Sequence, residues 1–296
     1  FKGTEDLGGG LNAVFVLESG VKVDTGASDV AGSIANRQSY VGLVSKEAGA
    51  LTLGRQYTPY YETLRDVADP FGLGLAGTAK NLFPAVGVQT RNSNAVVYKT
   101  PSLNGVQAAV SYSAGEQAGN ASAGRQLGAS IGYANGPLNV SFAYNSKNTD
   151  TASLSNDIGH NALLAVNYDF NVAKAFFAYG KDKGSFSAEL PNATAFSTLP
   201  VAASTDSNDI LAGVTAPVGP AGTLMASFIR KNDKQSFNRD ADQWAIGYSH
   251  ALSKRTSTYV AYAKIKNKNG ASYTVGNNTE AGTGDKAFNI GLKHNF

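Results

Sequence analysis

The chain contains no cysteine, one methionine and one tryptophan among its 296 residues. Without cysteine there is no disulfide framework, no thiolate metal site and no cysteine nucleophile. Charge is also sparse: Asp, Glu, Lys and Arg make up 16% of the residues and the net charge is +3. No basic cluster dominates, so nothing argues for a nucleic-acid partner. No stretch approaches 18 uninterrupted apolar residues, which excludes a transmembrane helix. Crossing by strands stays open, because a membrane barrel hides its apolar face in every second residue, where hydropathy averaging erases it. His160, His250 and His294 are scattered and no carboxylates cluster, so no metal spacing exists. No Ser–His pair or nucleophile elbow stands out, and Gly8-Gly9-Gly10 reads as a turn, with no helix after it to hold a phosphate. The expectation is a protein that is not an enzyme and carries neither cofactor nor metal.

What the chain has in quantity is glycine (33 residues) and aromatics (14 Tyr and 14 Phe), a mixture suited to strands and tight turns. The dominant pattern has period two. Leu11, Ala13, Phe15 and Leu17 form one apolar row. Others are Val106, Ala108, Val110 and Tyr112; Leu127, Ala129, Ile131 and Tyr133; and Leu138, Val140, Phe142 and Tyr144. Ala162, Leu164, Val166 and Tyr168 form another, as do Tyr259, Ala261, Ala263 and Ile265, and finally Phe288, Ile290, Leu292 and Phe296. Runs of about 9 to 12 residues are long enough for a tilted strand to cross a bilayer. The second face holds Gly, Ser, Asn and Gln rather than the Lys and Glu of a soluble sandwich, and so suits the inside of a water-filled tube. Tyr112, Tyr133, Tyr144, Tyr168 and Tyr248 fall near strand ends, as interfacial girdles do.

Connections alternate in length. Short ones are expected at Leu7–Gly10, Ala48–Ala50, Ser102–Gly105, Asn135–Pro137, Asn171–Val172, Val218–Gly222 and Ser253–Arg255. Long ones are expected around 20–35, 59–93, 114–124, 146–158, 182–207, 231–240 and 267–284. Short turns on one side and long loops on the other are a barrel's signature. Seven of each link fifteen strand segments in one domain, 1–296. The first segment is short and the strand count of such barrels is even. One further strand is therefore expected ahead of Phe1, which would complete a sixteen-stranded antiparallel transmembrane β-barrel. Any secretion signal is likewise expected upstream of Phe1.

Several stretches resemble a known family. Phe1–Leu11 (FKGTEDLGGGL) is similar to the strand and turn after the first strand of Gram-negative general porins, above all those of β-proteobacteria. Asn36–Leu43 (NRQSYVGL) and Leu53–Tyr57 (LGRQY) resemble the next two signatures. Thr90–Asn94 (TRNSN) resembles the return of a constriction loop to the wall, and the ending GLKHNF resembles the porin terminus. The likeness covers essentially the whole chain. It implies an outer-membrane homotrimer among lipid and lipopolysaccharide that passes ions and small hydrophilic solutes. It also implies that the loop 59–93 folds inward. Two departures matter: the family's Arg just before Phe1 is absent, and Pro70-Phe71-Gly72 lacks the Glu found in many enteric porins.

For the pore constriction the candidates are Arg65, Asp66, Asp69 and Lys80 of the loop with Arg37 and Arg91 of the wall. Strand parity assigns Arg37 inward with Ser39, opposite a lipid-facing Tyr40, and assigns Arg91 and Lys99 inward opposite Val96 and Tyr98. Lumen-wall candidates are Glu18, Lys99, Lys264 and Lys293, with Lys266 of the same parity as Lys264; Glu18 is expected to pair with a lumen cation. Arg55 is a candidate loop-root or subunit contact, and His294 should face lipid. Few aromatics take lumen parity, Phe176 and Tyr262 being the candidates. The inward cations outnumber the inward acids, and an anion preference follows as the expectation. The alternative is a specific channel for a small organic acid or sugar.

Overall fold

The computed structural model describes residues 1–84, 90–151, 154–155, 158–185, 206–276 and 284–295. The strands are β1 (Lys2–Gly8), β2 (Leu11–Glu18), β3 (Gln38–Ser45), β4 (Gly49–Tyr57), β5 (Arg91–Lys99), β6 (Val106–Ser113), β7 (Gln126–Asn135) and β8 (Leu138–Lys147). They continue as β9 (Gly159–Asp169), β10 (Lys174–Lys183), β11 (Asp206–Val218), β12 (Gly222–Asp233), β13 (Ala241–Ala251), β14 (Thr256–Asn267) and β15 (Lys286–His294). One sheet holds all fifteen in sequence order, each antiparallel to the next. Each expected short connection joins two paired strands, so all seven lie along one rim and the long connections along the other. Fifteen of the sixteen expected strands are thus described; β1 and β15 each carry one ladder among the described residues. Phe296 lies outside the described residues.

One face of the sheet is open and apolar. Phe15, Leu17, Val41, Leu43, Leu51, Leu53, Val110, Ile131, Phe142, Leu164, Phe177 and Ile246 are all exposed on it. A water-soluble sheet would bury such a face; hydrocarbon covers it without cost. The other face curls around residues 59–84, which rest against strands as far apart as β7 and β15: Pro59 meets Gly128, and the Ala76 N–H donates to Asn289 Oδ1. This is the concave face of an antiparallel transmembrane barrel.

The structure corrects the parity assignments on two strands, β3 and β14. Val41 and Leu43 are exposed, so the lipid row of β3 is the odd one. Tyr40 therefore faces inward, the reverse of the expectation. Arg37 precedes the strand and reaches the interior from outside its alternation. On β14, Ala261, Ala263 and Ile265 are the buried row, packed with Phe71 and Tyr273, and Tyr262 is exposed. Lys264 and Lys266 share the Tyr262 row, so both point outward and neither lines the lumen. Lys264 lies opposite the exposed Trp244. Parity fails here because the inner row is as apolar as the outer one, being covered by loops. Among the described strand residues the inward aromatics are Tyr40, Tyr57, Phe176 and Tyr259, and not Tyr262.

Candidate channel constriction

The loop begins where Thr58 closes β4. Its hydroxyl accepts a hydrogen bond from the Tyr61 N–H at 3.1 Å, and Pro59 occupies the first helical position, whose N–H needs no partner. The result is α1 (Pro59–Thr63), continued by a π-helical turn over Leu64–Ala68. Tyr60, Leu64, Leu82 and Phe83 are fully buried, and Leu64, Leu82 and Phe83 each contribute about 1.5–3 kcal/mol on burial. They can be buried because the wall beneath is stripped of side chains. Ala143, Ala165, Ala178, Ala245, Ala261 and Ala263 join the same core. Where the loop comes closest the wall has glycine. An added Cβ would lie 2.8 Å from Pro70 at Gly213, 2.9 Å from Phe71 at Gly247 and 3.0 Å from Phe83 at Gly180. The small residues on this half of the inner face are a seat for the loop, where the sequence pattern had indicated a water-filled surface.

Polar residues fix the loop's position. Gln243 donates to the Gly77 carbonyl at 3.0 Å and accepts from Asn81 at 2.7 Å, and Asn167 donates to the Val67 carbonyl at 2.8 Å. Asp69 accepts three backbone N–H bonds, from Phe71 (3.0 Å), Leu73 (3.0 Å) and Ala79 (2.9 Å). It is 4% exposed, and burial pushes its carboxyl up to about 6 against the pull of those donors and of Lys80. Asp69 is therefore a staple inside the loop and does not line the pore as expected. Lys80, in a 3₁₀ turn over Ala79–Asn81, is half-buried next to Ala79, whose N–H donates to Asp69; Arg37, Arg65, Asp66 and Arg91 are the other candidates.

Those other candidates meet at Tyr57. At Gly54 (φ +132°) an added Cβ would lie 2.3 Å from the Ser39 carbonyl oxygen, and the β4–β5 register shifts between Gly54 and Gln56. Beyond this bulge Gln56 is buried and Tyr57 also turns inward, stacked on Tyr61 at 4.6 Å with the planes 9° apart. The Arg37 guanidinium donates to the Tyr57 hydroxyl at 2.9 Å. Arg65 and Arg91 lie over the Tyr57 ring at 5.1 and 5.2 Å from its centroid. Three guanidinium groups thus share one phenol, although they come from the start of β3, from the loop and from β5.

Carboxylates hold these cations in place. Arg37 pairs with Glu18 at 2.6 Å, Arg65 with Asp66 at 2.6 Å and Lys99 with Glu62 at 2.6 Å. The Asp66 pair holds the Arg65 guanidinium in its charged form, well above its ordinary range. Lys293 shares the inward row of Asn289. Arg55 donates to the Asn36 carbonyl at 2.8 Å and to Ser93 Oγ at 3.0 Å, tying together the segments at the loop's two roots. The His294 row contains Ile290 and Leu292, both exposed to the lipid side.

Some participants were not singled out by the sequence analysis. Tyr57 and Glu62 belong to the cluster; the Thr58-Pro59 cap is the signal that would have placed α1 and Glu62. A second loop also folds inward: Ala271, Ser272, Tyr273, Thr274 and Val275 are buried, and the Gly276 N–H donates to Asn81 Oδ1 at 3.1 Å. Beneath both loops Lys231, 0% exposed, bonds Asp209 at 2.9 and 3.0 Å and lies 3.7 Å from Asp182.

A transmembrane sheet curled around a folded-in loop, with charge gathered on the opposing wall, defines a β-barrel channel of the outer membrane. The chain belongs to the Gram-negative porin family, whose match spans residues 1–270. It is 30% identical to an outer membrane porin protein of Bordetella pertussis, over all of this chain and 81% of that one. It is also 30% identical to outer membrane porin protein 32 of Delftia acidovorans, covering 83% of that chain. Among solved structures it resembles the anion-selective porin from Comamonas acidovorans, with a TM-score of 0.77 and 29% identity over 100% of this chain and 88% of the other. These relatives are channels and not enzymes.

Proposed function

We propose that the channel passes ions and small hydrophilic solutes by diffusion, prefers anions, and works as a homotrimer set among lipid and lipopolysaccharide, with Arg37, Arg65 and Arg91 as its constriction. The convergence of those three guanidinium groups on Tyr57 carries the reading. Lys99 makes a fourth local cation against three carboxylates, Glu18, Glu62 and Asp66. A low-dielectric wall focuses the field, so a small local excess is enough to bias the current. Asp69 adds little to the pore field because it is buried in the loop's own backbone. The likeness to a porin described as anion-selective supports the same sign. The homotrimer is the assembly implied by the family resemblance.

Reversal potentials across a planar bilayer in a salt gradient test the proposal. Wild type should favour chloride over potassium, and Arg37→Glu should move the reversal potential toward potassium. Cation preference in wild type would overturn the anion reading, and an unmoved potential in the variant would remove Arg37 from the constriction.

A further inference from the structure

Where no loop covers the inner wall, water selects polar inward residues, and one stretch of wall departs from that rule. On β2 the outward residues are Phe15 and Leu17, so Val14 and Val16 point inward, and both are partly exposed there. On β3 the outward Val41 and Leu43 leave Val44 inward and partly exposed. The register brings these side chains together. Val14 lies opposite Gly42, Gly42 opposite Thr52, and Thr52 opposite Val97. Gly42 has no side chain, so the wall sinks between Val14 and Thr52. The Thr52 hydroxyl donates to Gln56 Oε1 at 2.5 Å, which turns its methyl toward the hollow; an added Cβ at Gly42 would lie 2.6 Å from that methyl. The result is a pocket of about 340 Å³ on the short-turn side of Tyr57. Its floor is hydrocarbon, and its rim carries Tyr40, Tyr57, Glu62 and Lys99.

Packing does not account for this floor. The inward Leu163, Leu211 and Ile229 are fully buried under loops, whereas Val14, Val16 and Val44 stay partly open to the lumen. Nor is the floor a general property of the wall. The row that holds Val97 continues through Ser111 to Gly128. The adjoining pocket along β6–β8, of about 430 Å³, is walled by Gln107, Ser130, Asn139 and Ser141. Water over a hydrocarbon floor finds few partners, and an apolar group that displaces it gains affinity. The rim supplies the complementary charge. Lys99 contacts the two Glu62 oxygens at 2.7 and 2.6 Å, yet an ammonium has three N–H groups, and Lys99 is 37% exposed. One donor is therefore left for an anion at the edge of the floor.

We propose that this pocket binds monocarboxylates with a compact apolar body, a single ring being the size it admits. The ring lies on the floor of Val14, Val44 and the Thr52 methyl, and the carboxylate accepts from Lys99. The three guanidinium groups on Tyr57 select by charge alone; the valine floor adds a choice by the body that carries the charge. The inference names a solute class for the channel and rests on the channel reading.

The probe is benzoate, added to wild-type channels in a planar bilayer at fixed chloride concentration. Acetate, the charge without the ring, and benzyl alcohol, the ring without the charge, are the controls. Chloride current should fall along a saturating curve, with a half-blocking concentration about tenfold lower for benzoate than for acetate. Benzyl alcohol should leave the current unchanged at the concentration where benzoate halves it. Val14→Thr/Val44→Thr keeps the branched shape and sets two hydroxyls in the floor. It should raise the half-blocking concentration of benzoate about tenfold while leaving the acetate response and the chloride reversal potential as in wild type. Equal half-blocking concentrations for benzoate and acetate, block by benzyl alcohol as strong as by benzoate, or unchanged benzoate block in the threonine variant each overturn the proposal. Heat-modifiable gel mobility establishes that the variant is folded; if it is not, the three-solute comparison on wild type decides. A wild type without conductance would instead defeat the channel reading, and saturation-transfer NMR of benzoate against acetate on the detergent-solubilised protein would then decide the pocket by itself.

Discussion

From β8 to β14 the inward residues include Ala143, Leu163, Ala165, Ala178, Leu211, Ile229 and Ala245, all buried beneath the loop. From β2 to β5 they include Glu18, Tyr40, Thr52 and Lys99, with Arg37 and Tyr57 beside them, facing open space. The two halves belong to one sheet with one pleat, yet their inner rows follow opposite rules. The covered half behaves like a soluble core, where small side chains and glycines let a loop dock. The open half keeps its polar groups half exposed and holds them with local ion pairs. The same interactions therefore carry different weights on the two sides.

The largest effect should come from the ion cluster of the covered half. Lys231, Asp209 and Asp182 are each 0% exposed, and Ser207 donates to Asp182 at 3.3 Å while accepting from Lys231 at 3.1 Å. Lys231→Met leaves two carboxylates buried without their cation. Removing one partner of a buried pair costs about 3–5 kcal/mol. The temperature at which the folded form is lost on heat-modifiable gels should drop sharply. Adding Asp209→Leu should recover much of the loss. A single variant as heat-resistant as wild type would show that water reaches this side of the wall after all.

Asp69 is the next step down. Its carboxyl titrates near 6, above the ordinary carboxylate value of 3.8, so the folded loop holds a proton more tightly than the released loop does. The sign follows: this contribution is present at low pH and is lost as pH rises through about 6. Protease cleavage within 59–84 should therefore slow between pH 7 and pH 5. Asp69→Asn replaces one accepting oxygen with a donor that faces backbone N–H groups, at a cost of about 1–3 kcal/mol. It should speed cleavage and abolish its pH dependence. Cleavage with an unchanged pH profile would take Asp69 out of the docking step.

How much of this was legible in the sequence follows the same division. The strands and the alternation of turns and loops could be read because lipid enforces a period of two on every outer row; the inward fold of the loop came from the family resemblance alone. Glu18 and Lys99 take the inward parity because the rows opposite them, Phe15 and Leu17 on β2 and Val96 and Tyr98 on β5, are large, apolar and exposed. Lys264 and Lys266 were misassigned, because Ala263 and Ile265 look like a lipid row until the loops that cover them are known. Arg37 was assigned inward through a mistaken face for Tyr40; its reach depends on a side chain at the strand's start, where alternation has not begun. The Tyr57 cluster was hidden by the Gly54 bulge, which turns two successive residues inward. Nothing local in Lys231 announces that Asp182 and Asp209, from two other strands, will surround it.

Lys99 gives the sharpest contrast with Lys231, and the smallest predicted effect. Both are lysines on the inner face and both pair with a carboxylate, Lys99 with Glu62 at 2.6 Å. The Lys99 pair, however, is 37% and 25% exposed, where Lys231 and Asp209 are both 0% exposed. Water screens the first pair and keeps each ion solvated when the other is removed. Lys99→Gln should therefore change heat stability by less than about 1 kcal/mol, although the distance is shorter than in the buried pair. Its effect should appear in the current instead, because Glu62 is left facing the open half without its cation. Reversal potentials should move toward potassium by less than in Arg37→Glu, which reverses a charge where Lys99→Gln only deletes one. A Lys99→Gln variant that melts like Lys231→Met would mean that the open half is closed off from water, and the distinction between the halves would fail.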